Sequence, residues 1–138
     1  MRDIKFRVWD KDLKRMHVCG DNEHDAIIFT DDNQALYYNF QNGEGSGEYG
    51  VYILMQYTGR KDKNSKEICE DDICISEEVA YPLTGSRTGI VKYIDGSYLL
   101  EDLDGKDGDY LFSESAEITV IGNIHDNPEL LQGGGKGE

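Results

Sequence analysis

At 138 residues the chain has the length of one ordinary domain, or of a small barrel with a substantial appendage, and needs neither metal nor disulfide to bury a core. Nine tyrosines and an aromatic content of 10% mark a folded chain, and no apolar run approaches the roughly 20 residues that span a bilayer. A net charge of −14 argues against ordinary DNA or RNA binding, because neutralising phosphates takes clustered Lys and Arg.

The charge is unevenly placed. Residues 1–18 hold six basic and three acidic side chains, leaving eight basic against twenty-five acidic in the remainder. Met1 to Lys5 runs straight into an alternating pattern with no apolar signal-peptide core, so the cytoplasm is the expected compartment. Three cysteines without a signal read as reduced thiols rather than a disulfide framework.

In chain order, Ile4, Phe6 and Val8 alternate with Lys5, Arg7 and Trp9, which predicts a half-buried strand over 4–9. Asp10-Lys11-Asp12 reads as a turn and Arg15–Val18 as the hairpin partner. Ala26–Phe29 and Ala35–Phe40 are short strand candidates, the second with a helical alternative because Ala and Leu begin it. Gln41–Gly50 carries four glycines and reads as a loop or hinge. Val51–Thr58 is the strongest strand signal, apolar on both faces and hence central. The basic turn Arg60–Lys66 follows, then strands at 72–76, 89–94, 97–101 and 117–124. Asp95-Gly96 predicts a tight hairpin, since both central positions need positive φ. Asn127-Pro128 reads as the N-cap and first position of a helical turn, and the glycine-rich 132–138 as a disordered tail.

The expected fold is all-β. An N-terminal β portion over 1–50, ending in the glycine-rich loop 41–50, precedes an SH3-like barrel portion over 51–131 with its terminal helical turn.

Chemistry-bearing patterns are few. His17 and Cys19 with Cys69-x4-Cys74 would offer tetrahedral zinc four ligands, but His17 and Cys19 share one short strand and small buried thiols are the plainer account. Asp102–Asp109 invites a calcium reading that fails, because Lys106 and Asp107 stand where an EF-hand loop needs an oxygen ligand and Gly. His17, His24 and His125 have no nucleophile motif near them, and His125 reads as a surface residue. Gly43–Gly47 lacks the Lys-Ser/Thr of a phosphate loop. With 28 carboxylates, adjacent pairs such as Asp31-Asp32 and Asp71-Asp72 carry no information. Trp9 and the nine tyrosines exceed what one small core readily buries, so a contact surface and ordinary sheet rims compete for them.

Three stretches carry a resemblance. They are Arg2–Asp10, then Leu54-Met55-Gln56-Tyr57-Thr58-Gly59 running on to Ile68, and Val120–Ile124 followed by Asn127–Leu131. Together they resemble the YopX family across essentially the whole chain. The resemblance implies a β-rich protein encoded by phages and prophages of Gram-positive bacteria, with no established activity and no catalytic residue to carry over. Departures from the family pattern are Ser65, where a glycine usually follows Asn64, and Cys69, Asp71 and Cys74, where Tyr, Gly and Val are usual. Ser65 predicts a less tight hairpin.

The leading functional expectation is a non-enzymatic interaction module that binds a protein partner, such as a host protein, or itself as a homo-oligomer. The contact residues chosen for it are Arg7, Trp9, Tyr57, Arg60, Lys61 and Lys63. Two alternatives stand beside it: an acidic nucleic-acid mimic that occupies a host DNA-binding protein, and weak nucleic-acid binding through the basic N-terminal strand. No catalytic residue, cofactor or membrane contact is expected.

Overall fold

Alternation at the N-terminus resolves into a hairpin. In the computed structural model, which describes residues 4–18, 25–29, 34–39, 52–79, 85–105, 108–112 and 116–131, β1 (Phe6–Asp10) pairs antiparallel with β2 (Arg15–Val18). The connecting turn is built on Asp10, whose carboxylate accepts the N–H groups of Asp12 and Leu13 while its carbonyl accepts that of Lys14. Ile4, placed on the strand's apolar face by the sequence, lies before the strand and is exposed. Val8 and Trp9 are both buried, although they point to opposite faces, and Val8 packs in a core with Ala35, Tyr37 and Tyr52.

β3 (Asp25–Phe29) and β4 (Ala35–Asn39) form a two-stranded antiparallel sheet with Ile27 opposite Tyr37. Residues 35–39 are therefore strand, as the Tyr37-Tyr38 pair favours, and not helix. β5 (Tyr52–Lys61) is ten residues long and runs past the expected end at Thr58, so that Arg60 and Lys61 belong to the strand rather than to the basic turn. Tyr52–Gln56 pair with β1, and Val8, Ala35, Tyr37 and Tyr52 form a core with Ile27 and Leu36 packed against it.

Backbone contacts divide the chain into two compact units, Met1–Tyr57 and Thr58–Glu138. β5 runs through the boundary. Just beyond it Gly59 takes φ +94, which an L-residue adopts only at a cost, and the Thr58 hydroxyl accepts the Arg60 N–H at 3.3 Å.

The second unit contains β6 (Glu67–Cys69), β7 (Asp72–Glu78), β8 (Ser86–Ile94), β9 (Ser97–Asp102), β10 (Gly108–Tyr110) and β11 (Ala116–Asn123). The last five make an antiparallel sheet in the order β10-β9-β8-β7-β11, curled into a half-barrel. Asp95 and Gly96 both have positive φ, at 51° and 83°, as the tight hairpin between β8 and β9 requires. Inside the curl lie Ile68, Cys74, Val91, Leu100, Leu111, Ile118 and Val120, with Tyr98 and Phe112 packed against them. The fold is all-β. Asn127 and Pro128 open a short helical turn through Leu130 N–H to Asn127 O and Leu131 N–H to Pro128 O. The Asn127 side chain accepts the Asn123 N–H, so it ties the turn back to β11 rather than capping the helix.

Gln41–Gly50, the tail 132–138, Cys19, His24, Asp31-Asp32, Tyr49 and Tyr81 lie outside the described residues. Among the described residues, no helix is long and apolar enough to cross a membrane.

Candidate interaction surface

The basic turn after β5 is held rigidly from within. Asp62 opens it, and its Oδ1 accepts the N–H groups of Asn64 and Lys66 at 2.8 and 2.9 Å. Its other oxygen, Oδ2, accepts the N–H of Val120 on β11 at 2.9 Å, and Lys63 N–H donates to Ile118 O at 3.0 Å. The turn thus covers the outer edge of β11, which would otherwise present unpaired backbone groups. Burial alone would raise the Asp62 pKa. The N–H groups of Val120, Lys66 and Asn64, with the Lys66 charge, more than offset it, and the carboxyl is held below its ordinary value. Ser65 sits at φ +66, the position where glycine was expected, yet the turn closes with Asp62 N–H to Lys66 O at 2.7 Å.

With Asp62 turned inward, its basic neighbours point out. Arg60, Lys61, Lys63 and Lys66 are exposed, and the Arg60 guanidinium lies 4.5 Å from the centre of the Phe112 ring. Arg60, Lys61 and Lys63 rim a cleft of about 230 Å³ floored by Ile68, Phe112 and Ile118. Phe112 and Ala116 also line a second cleft of about 380 Å³, which runs past Leu100 to Arg87, Asp109 and Tyr110. There Arg87 lies 3.1 Å from Asp102, with the exposed Asp109 at 3.6 Å. The two clefts meet at Phe112. The joined surface offers an aromatic floor, a cationic rim and an exposed tyrosine, with carboxylates at Glu78, Asp109 and Glu117.

Of the six contact residues chosen from sequence, Arg60, Lys61 and Lys63 come together here. The other three belong to the first unit. Trp9 and Tyr57 are buried and Arg7 is half-buried. Tyr37 and Tyr52 are core residues as well, whereas Tyr38, Tyr93 and Tyr110 are exposed. The tyrosine surplus therefore divides between core and surface.

His17 is buried in the first unit, stacked on Tyr37 at 3.8 Å with its Nε2 3.9 Å from Asp10. Cys69 and Cys74 are buried in the second unit, where Cys74 is part of the core and the Cys69 N–H is held by the Asp72 carboxylate. No three His, Cys, Asp or Glu side chains gather as a metal site would need, among the described residues. Asp102 to Gly105 forms a turn closed by Gly105 N–H to Asp102 O.

One pair escaped the sequence reading. His125 is not a surface residue: its Nε2 lies 3.0 Å from Asp71 Oδ2, with side chains 11% and 19% exposed. Asp71 occupies the left-handed turn before β7 (φ +69), and Ile124 N–H donates to its carbonyl. Nothing local to either residue announces a contact across 54 positions.

The family profile described as YopX protein matches residues 5–132. The chain is similar to the crystal structure of protein yopX from Bacillus subtilis, with 24% identity, TM-score 0.67, and coverage of 91% of this chain and 96% of that one. It is also similar to protein EF1440 from Enterococcus faecalis, with 28% identity, TM-score 0.63, and coverage of 95% and 99%. No curated protein matches the chain.

Proposed function

Since the chain belongs to the YopX family, we propose that it is a non-enzymatic module for protein–protein association, encoded by a phage or prophage and working in the host cytoplasm. One observation carries this reading. Two clefts join at Phe112 in the C-terminal unit, rimmed by Arg60, Lys61 and Lys63 and ending at the exposed Tyr110. Arg and Tyr are enriched where proteins meet, and an aromatic floor supplies apolar contact at the centre of a polar rim. The phage setting rests on the family resemblance.

The test is site-specific photocrosslinking in lysogenic cells. A photoreactive residue at position 61 is expected to capture a defined protein, while one at the exposed position 13, outside the surface, captures none. Equal capture at both positions, or none at 61, overturns the assignment.

A further inference from the structure

The half-barrel is an open sheet, and its two edges differ in charge. On the β10 side a cleft of about 280 Å³ is lined by Ile94, Leu99 and Tyr110, and among the described residues its ionisable groups other than Tyr110 are the acids Asp95 and Asp109. Tyr110 is 70% exposed, and Asp95 and Asp109 face solvent. On the β11 side, Arg60, Lys61 and Lys63 surround the apolar floor of Ile68, Phe112 and Ile118. Of the two carboxylates there among the described residues, Asp62 is spent on backbone N–H groups, which leaves Glu117. Among the described residues each edge joins apolar surface to one prevailing charge, and the signs are opposite.

We propose that copies of this chain associate head to tail, with the cation-rimmed β11 edge of one seated against the acidic Tyr110 edge of the next. The proposal rests on the association reading above and names its partner. Such a contact is heterologous, so it closes into a ring or continues as a chain of subunits. It joins side chains rather than strands. The Tyr110 N–H is already held by the Asp109 carboxylate, and Val120 and Ile118 by Asp62 and Lys63, so neither edge invites a shared ladder. The existing surface pairs, Lys63 with Glu77 at 3.8 Å and Arg87 with Asp109 at 3.6 Å, are weak enough to exchange partners.

A net charge of −14 opposes the meeting of two copies, but the two effects differ in range. At about 0.15 M salt the Debye length is about 8 Å, which screens repulsion between whole bodies and spares pairs in contact. Association is therefore expected to be strongest near that ionic strength and to fade towards about 1 M.

Sedimentation of the 138-residue chain near physiological salt tests this. Wild type is expected above monomer mass. The variants Lys61→Glu/Lys63→Glu and Asp95→Lys/Asp109→Lys are each expected to be monomeric, and their equimolar mixture to reassemble, because the intact acidic edge of the first meets the intact basic edge of the second and the two swapped edges also match. Lysine is tolerable at position 95 (φ +51), since Lys14 already occupies φ +55 in this chain. Circular dichroism confirms that each variant is folded, and Tyr110→Ala, which alters no charge, is expected to weaken association about tenfold. A monomeric wild type, a folded charge variant of unchanged size, or a mixture that stays monomeric overturns the proposal. A host protein captured at position 61 by a monomeric chain ends this inference and leaves the association reading standing.

Discussion

Asp62 and Val120 meet through a 2.9 Å hydrogen bond that spans 58 positions of sequence. The bond joins a surface turn to the last strand of the half-barrel, so the same carboxylate shapes the basic rim and shields the sheet edge.

Asp62→Ala leaves the buried Val120 N–H without an acceptor and is expected to cost about 3 kcal/mol, read from chemical denaturation. Asp62→Asn keeps an acceptor and should cost less. The pH dependence separates the two effects. Because the folded-state pKa is lowered, the carboxylate's contribution is complete above the unfolded-state value and is lost as pH falls through the folded one. Wild type should therefore lose more stability than Asp62→Asn on acidification through that window.

Ser65→Gly is expected to stabilise the protein by about 0.5–1 kcal/mol. At φ +66 serine bears a left-handed penalty of about 1–2 kcal/mol, part of which glycine returns through its freer unfolded chain. A higher melting temperature with an unchanged denaturant slope is the expected record.

Two glycines should respond unequally to alanine. A Cβ at Gly89 would lie 2.6 Å from the Glu101 carbonyl oxygen, a backbone atom of the neighbouring strand that cannot step aside. At Gly122 it would lie 2.6 Å from the Asn127 side-chain oxygen and 3.0 Å from Leu130 Cδ1. Both variants should lose about 1–3 kcal/mol, with Gly89→Ala the worse. Thermal melts rank them, and Gly122→Ala should also loosen the terminal turn to hydrogen exchange.

The Asp71–His125 contact is mostly shielded from water and should be coupled by about 1 kcal/mol. A double-mutant cycle of Asp71→Asn and His125→Gln measures it. Asparagine suits the left-handed position of Asp71, so the cycle reports the side chains rather than the turn.

What could be read in advance was whatever depended on near neighbours. Asp95-Gly96 dictates a hairpin because two adjacent positions need positive φ, and 51–58 dictates an interior strand because both its faces are apolar. Trp9 was harder, since alternation places it on the face opposite Val8 and does not say that this second face is covered as well. His125 and Asp62 were out of reach, as their partners lie 54 and 58 positions away. The basic rim was visible as a charge run, but the Phe112 floor beneath it was not, because its approach to Arg60 arises only when the sheet curls.

Trp9 is the chain's single tryptophan, and it lies buried in the first of the two units. Its emission is therefore a built-in reporter of that unit's packing, whereas far-UV dichroism sums the strands of both. Overlaying the two unfolding curves asks whether the halves melt together: coincidence means one cooperative structure, and a gap gives the order in which they come apart.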